Sequence, residues 1–265
     1  MSLNVLTAGS GPPLLLLHGF SGSARSWTRC LPAWAERHRV IAPDLLGHAG
    51  SDAPADPALY ALERQAAGLH DLLALLEAVP ATVIGYSMGA RLALTLAVAY
   101  PADLAGLVLE SPSAGIADPI DRAARRTADG RLADEIERDG VRVFVERWEA
   151  QPLFASHADL PAEVREAQRR ERLRHGTTGL AASLRGAGQG AMTPLYDRLG
   201  AIGVPTLVIA GARDGAGLQR ARAVAVGIPG ARLGVIDGSG HTPHLEQPDR
   251  FMRLVDEALH DTAAA

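Results

Sequence analysis

Gly85-Tyr86-Ser87-Met88-Gly89 sets one serine in a turn bounded by glycines. The short apolar run Ala81-Thr82-Val83-Ile84 precedes it, and the alanine- and leucine-rich stretch from Ala90 to Tyr100 follows. A G-x-S-x-G between a strand and a helix is the pattern of a nucleophile elbow. The tight turn lifts the hydroxyl clear of the sheet and holds it at a helix N-terminus. Small residues are needed on both sides because the backbone there is crowded and often strained. The bland alternative is an N-capping serine in a glycine-rich turn; the strand in front and the helix behind favour the elbow.

A serine hydroxyl is a poor nucleophile or base until a histidine takes its proton, and an acid must orient that histidine. In this arrangement the chain order is serine, then acid, then histidine. Val204–Ala210 reads as a buried strand followed directly by Gly211-Ala212-Arg213-Asp214, and Arg232–Ile236 reads as the next strand, followed by Gly238-Ser239-Gly240-His241. Asp214 and His241 therefore each lie just past a strand's C-terminal end, where open α/β sheets place their sites. Glu110, at the end of Leu107-Val108-Leu109, is the alternative acid. His244 is expected to open the last helix, His48 to pack near the site, and His38, His70, His157, His175 and His260 to be solvated. Pro13–Leu17 is a further run of strand length, and His18-Gly19-Phe20 follows it. The backbone N–H groups of Phe20 and of Met88, the residue after the serine, are the expected oxyanion hole. His18 is expected to brace that loop.

Composition narrows the classes. All 26 basic residues are arginine, which excludes a Schiff-base lysine and a Walker phosphate loop. A formal charge of −4 gives no case for nucleic acid. The single cysteine, Cys30, forms no internal disulfide, and no cysteine cluster suggests zinc. Neither a metal nor a cofactor is expected. Met1-Ser2-Leu3-Asn4 lacks a basic region, and Leu14–Leu17 is too short for a signal core or a membrane span, so a cytoplasmic protein is expected. Nothing in the chain sets its oligomeric state.

The elements that must position these residues alternate. Apolar runs near 3–6, 13–17, 39–42, 81–84, 105–110, 204–210 and 231–236 read as strands. Helical patterns near 28–37, 62–77, 89–100, 216–226 and 248–260 separate or follow them. Such a rhythm predicts an α/β fold, a mostly parallel, doubly wound sheet covered on both faces. The rhythm breaks once: from Pro112 to about Leu195 the chain is polar, arginine-rich and helical in period, over Ile120–Asp139, Val141–Ala150, Pro161–His175 and Gly179–Arg185. The prediction is a core of residues 1–111 and 196–265 with a helical cap, 112–195, inserted between two strands. The alanine-rich tail, Ala263–Ala265, is the one low-complexity stretch.

With these motifs in place the chain resembles the α/β-hydrolases, and in detail the 2-succinyl-6-hydroxy-2,4-cyclohexadiene-1-carboxylate synthases of menaquinone biosynthesis. The resemblance rests on His18-Gly19-Phe20-Ser21-Gly22 with Trp27, on Gly85–Arg91 and on Leu109-Glu110-Ser111. In the cap it rests on Arg122–Arg126, Phe144–Phe154 and Gly179–Gly186. The cap motifs matter most, because the core motifs serve many unrelated activities. The resemblance implies a lyase in which Ser87, activated by His241 and Asp214, acts as a base and pyruvate is expelled. It implies a small anionic carboxylate substrate, held by Arg91, Arg125 and Arg172, with Tyr86 and Trp148 lining the pocket. Arginine suits this task because its planar fork pairs bidentately with carboxylate. The chain departs from the family's pattern at Ala90 and Ala49, each replacing a glycine, and at Gly215-Ala216-Gly217, where a more polar and aromatic stretch is usual. A serine hydrolase of small esters or carbon–carbon bonds remains the alternative, and a non-enzymatic binding protein a more distant one. Serine rather than aspartate at the elbow speaks against dehalogenase and epoxide hydrolase chemistry.

Overall fold

The computed structural model describes residues 2–264, leaving Ala265 of the alanine-rich tail outside. In chain order the elements are β1 (Val5–Ala8), β2 (Pro13–Leu17), α1 (Leu31–Ala35), β3 (Arg39–Pro43), α2 (Leu62–Leu75), β4 (Ala81–Tyr86), α3 (Met88–Ala99) and β5 (Leu104–Glu110). Then come α4 (Pro119–Glu149), α5 (Ala162–Arg172), α6 (Thr177–Ala187), β6 (Thr206–Gly211), α7 (Ala216–Gly227), β7 (Arg232–Ile236), α8 (Pro243–Glu246) and α9 (Pro248–Ala264). The seven strands form one sheet in the order β1-β3-β2-β4-β5-β6-β7. Only β1 runs antiparallel to its neighbour, with Val5 opposite Pro43 and Ala8 opposite Val40.

Side chains alternate across a strand, and the central strands are apolar on both faces. Leu15 and Leu17 of β2 join the cluster that holds Leu69 and Leu73 of α2 and Leu92 and Leu96 of α3. Leu14 and Leu16 join the opposite cluster, with Trp27, Trp34 and Phe251 and Val255 of α9. The sheet is thus doubly wound. The chain goes outward from β2 to β3, then returns past β2 to β4. The strand order therefore reverses between β2 and β4, and ligand crevices in such sheets open where it does.

Strand β1 lies two residues later than expected, because its register on β3 decides its span. The helix expected near 28–37 shrinks to α1, after a 3₁₀ turn at Ala24–Trp27. His244 does not open the last helix. It sits in the separate single turn α8, and Gln247, with φ −139° and ψ 61°, breaks the chain before α9.

The helices between β5 and β6 pack around their own apolar cluster, Ala133, Ile136, Phe144, Val145, Leu180, Ala181 and Leu184. Within α4 the chain breaks at Gly140 (φ 84°, ψ 166°), so two helices meet there. A 3₁₀ stretch, Pro152–Asp159, joins α4 to α5 and was not legible as regular structure.

Candidate active site

Strand β4 ends at Tyr86 and α3 begins at Met88, leaving Ser87 alone between them with φ 51° and ψ −103°. Positive φ is uncommon for a residue with a side chain. The neighbouring glycines make the turn possible. A Cβ on Gly85 would lie 2.5 Å from the Gly89 carbonyl oxygen, and one on Gly89 would run into the Leu17 carbonyl. Ala90, where a glycine is usual, is fully buried in the core cluster.

The loops after β6 and β7 bring their residues to this serine. His241 Nδ1 donates to Asp214 Oδ2 at 2.9 Å, and its Nε2 accepts from Ser87 Oγ at 3.0 Å. Both His241 and Asp214 are almost fully buried. A donor at Nδ1 leaves Nε2 as the proton acceptor, the tautomer required to activate a hydroxyl. Gly217 gives Asp214 room, since a Cβ there would fall on the carboxylate. The small run after the acid thus shapes its loop. Glu110, the alternative acid, is engaged elsewhere. Its Oε1 accepts from the His244 amide at 2.9 Å and its carboxylate holds His244 Nδ1 at 2.8 Å.

Around His241 the chain is fastened from both sides. Glu246 accepts from the amides of Gly240 (2.6 Å) and Thr242 (2.9 Å), and Ser111 Oγ donates to the His241 carbonyl at 2.9 Å. Burial pushes the Glu246 carboxyl up, but these amides with the Ser156 and Thr242 hydroxyls outweigh it and hold the group below its ordinary value. His157, expected to be solvated, is largely buried and donates to Thr242 Oγ1. Burial lowers its pKa to about 4.

Phe20 and Met88 both line the cavity at Ser87. Met88 is the first residue of α3, where an N–H has no helical acceptor. His18 braces the Phe20 loop, with Nδ1 donating to the Gly19 carbonyl at 2.8 Å and Nε2 accepting from the Leu45 amide at 2.9 Å. His48 packs edge-on against the rings of His18 and Phe20. His175, also expected to be solvated, is 5 % exposed. It ties the segment between β5 and β6 to the loops after β2 and β3: Nδ1 accepts from the Ala49 amide at 3.0 Å and Nε2 donates to the Ser21 carbonyl at 2.9 Å. Burial lowers the pKa of His18 to about 4 and that of His48 well below normal, and it also lowers that of His175. Ala49 holds φ 44°, a left-handed conformation that explains why a glycine suits the position.

The cavity above Ser87 has a volume of about 350 Å³, and it is lined both by residues around the sheet and by the helical segment between β5 and β6. Arg91 and Arg125 are in its wall, as are Tyr86 and Trp148. Arg91 is 7 % exposed, and its Nη1 donates to the Ala187 carbonyl at 2.6 Å. Burial, with Arg125 adding repulsion, lowers its pKa to about 10. Arg125 donates to Asp129 at 2.8 Å and to Gln189 at 3.0 Å. Burial, with Glu110 nearby, pushes the Tyr86 phenol well above its ordinary range, so its hydroxyl stays a donor. Trp148 packs on Phe20, Phe144 and Phe154, and its buried Nε1 has no partner among the described residues. The structure does not bring Arg172 into the lining. Its Nη1 donates to Glu149 at 3.0 Å and its guanidinium lies over the Phe154 ring at 5.3 Å, and it is Phe154 that faces the cavity. The sequence reading passed over Asp129, Glu246 and Arg220. Arg220, on α7, also lines the cavity. Each is an ordinary polar residue of a helix, with no local pattern to mark it.

A serine relay at the strand-order reversal of a doubly wound sheet defines a class, and a family model for the alpha/beta hydrolase fold matches residues 12–248. The chain belongs to the α/β-hydrolase family and is an enzyme of that superfamily. Its relatives narrow the place further. A Bacillus subtilis (strain 168) protein assigned as a 2-succinyl-6-hydroxy-2,4-cyclohexadiene-1-carboxylate synthase is 39% identical over 246 residues, 93% of this chain and 89% of its own length. The synthase of that name from Salmonella schwarzengrund is 32% identical, with 89% of each chain covered. Among solved structures, MenH from S. aureus superposes with a TM-score of 0.93 at 32% identity, covering 98% of both chains. A malate-bound thermophilic esterase from Thermogutta terrifontis gives 0.86 at 30% identity, covering 98% of this chain and 93% of its own. Within the α/β-hydrolases, this chain falls among the menaquinone-pathway synthases. Among the described residues, no helix is long and apolar enough to cross a membrane.

Proposed function

We propose that this enzyme eliminates pyruvate from 2-succinyl-5-enolpyruvyl-6-hydroxy-3-cyclohexene-1-carboxylate, giving 2-succinyl-6-hydroxy-2,4-cyclohexadiene-1-carboxylate. The observation that carries the reading is Arg91. It is a buried guanidinium with no carboxylate hydrogen-bonded to it among the described residues, in the same cavity as the Ser87–His241–Asp214 relay, and Asp129 only partly offsets its charge. A buried cation without a directly paired counter-charge is costly, and a carboxylate substrate supplies one.

In this mechanism His241 Nε2 takes the Ser87 proton while Asp214 steadies the imidazolium. The serine oxygen removes the proton from the ring carbon that bears the succinyl group. The electron pair first moves onto the succinyl ketone oxygen, which the Phe20 and Met88 amides hold as an enolate. It then returns, the ring double bond shifts by one position, and the bond to the enolpyruvyl oxygen breaks. The enolpyruvate takes up a proton and becomes pyruvate. Arg91 and Arg125 pair with substrate carboxylates, Tyr86 donates from below, and Trp148 closes the apolar wall. Arg172 acts through Phe154. No cofactor or metal enters any step, and the proposal includes a cytoplasmic site of action.

The relay suits acyl transfer equally well, and the similarity to the esterase keeps a serine hydrolase as the second reading. Pyruvate release from the named substrate, measured beside hydrolysis of a nitrophenyl ester, separates the two. The lyase releases pyruvate without a burst and leaves no adduct on Ser87 in quenched enzyme. An accumulating covalent Ser87 intermediate with the natural substrate overturns the lyase reading.

A further inference from the structure

We infer that Arg220 is a specificity-determining residue that pairs with one of the substrate's three carboxylates. The inference rests on the lyase reading for the identity of the anion. Three guanidinium groups line the cavity, those of Arg91, Arg125 and Arg220, against one carboxylate, Asp129. Asp129 accepts from Arg125 Nε at 2.8 Å and hydrogen-bonds no other cation, although its charge also reaches Arg91. Arg91 donates to a main-chain carbonyl, and Arg220 has no hydrogen-bond or ion-pair partner among the described residues. The cavity lining therefore carries an excess of positive charge that matches a polyanion better than a neutral ester.

The placement of Arg220 follows from α7. The buried stripe of that helix is Gly217, Ala221 and Val224, and Arg220 stands half-buried at its edge. The Cα–Cβ bonds of a helix tilt toward its N-terminus. The N-terminus of α7 is the catalytic end, since the Gly217 amide donates to the Asp214 carbonyl at 2.8 Å. The intervening Gly215, Ala216 and Gly217 carry almost no side chain, so nothing bulky from that turn stands between the guanidinium and the cavity. Arg220 thus supplies a second cation to the cavity from a helix beside the sheet, in addition to Arg91 of α3.

The test uses the full-length enzyme and two variants, Arg220→Gln and Arg220→Lys. The first readout is steady-state pyruvate release. The Gln variant is expected to raise KM about ten- to a hundredfold, the loss of one charge-assisted contact, with a smaller effect on kcat. Lysine, which lacks the planar fork, restores only part. The second readout is calorimetric binding of citrate, a stable tricarboxylate, which needs no turnover. Weaker citrate binding to the Gln variant at low salt, narrowing as salt rises, supports the inference. If KM and citrate affinity both stay within twofold of wild type, the inference is overturned. Wild-type enzyme that binds citrate through Arg220 but releases no pyruvate refutes the lyase reading and leaves the polyanion site standing.

Discussion

Arg91→Met gives the sharpest view of how the cavity's charge is used. Two unit charges about 4 Å apart interact by about 4 kcal/mol at an effective dielectric near 20. Truncating one member of a buried, hydrogen-bonded charge pair costs about 2–5 kcal/mol. For the tricarboxylate substrate, kcat/KM is therefore expected to fall by roughly 30-fold to several thousandfold. Stability moves differently. The guanidinium is 7 % exposed and Arg125 repels it, so its removal relieves a buried charge. The same change strands the Ala187 carbonyl that accepted from it at 2.6 Å, a loss of about 1–3 kcal/mol. These effects are opposed and similar in size, so the thermal midpoint is expected to shift by only a few degrees. Pyruvate release, nitrophenyl ester hydrolysis and thermal unfolding of one preparation decide the matter. Equal losses on the charged substrate and the neutral ester refute an anion-binding role for Arg91. So does a midpoint lowered by more than about ten degrees, which would make the residue a strut between α3 and α6.

Asp214→Asn is expected to lower turnover by about 10⁴-fold through the wrong imidazole tautomer, whereas Glu110→Gln keeps activity within about tenfold; the reverse ranking in the same assay would reassign the acid. Acid should weaken the fold between about pH 6.5 and 4, because the unfolded chain protonates His18, His48, His157 and His175 before the folded protein does. For His157, lowered to about 4, this amounts to about 3 kcal/mol at most. Urea unfolding of His157→Gln at pH 7 and pH 4.5 should show a correspondingly smaller decline, and parallel declines in variant and wild type would refute the assignment.

Buried strands and the elbow were legible because their signals are local: an apolar run, or glycines about a serine. The histidines were harder. His175 lies in Arg174-His175-Gly176, which reads as a polar turn. Its burial comes from Ala49 and Ser21, more than a hundred residues away in sequence. His157 is hidden for the same reason, by contact with the loop of His241. Arginine runs posed the opposite difficulty. The stretch Arg169–Arg174 offers four candidates, and the structure commits Arg172 to Glu149 and a ring face. Arg220 stands outside any run, and only the helix direction set by the Asp214 turn reveals where it reaches.

The relay is divided between two lengths of chain. Ser87 follows β4, whereas Asp214 and His241 follow β6 and β7, beyond the helical segment between β5 and β6. In the sheet these lengths meet along one ladder, from Leu107 opposite Thr206 to Glu110 opposite Ile209. The exposed stretch Pro161-Ala162-Glu163 opens α5, near the middle of that interval. A chain cut there yields an amino-terminal fragment with the serine and both oxyanion amides, and a carboxy-terminal fragment with the acid and the histidine. Neither half carries a working relay, so recovered turnover on mixing reports that β5 and β6 have paired and that α4 and α6 have packed together again. The relay's chemistry would then read out the reassembly of both contacts, the parallel seam and the helix pair.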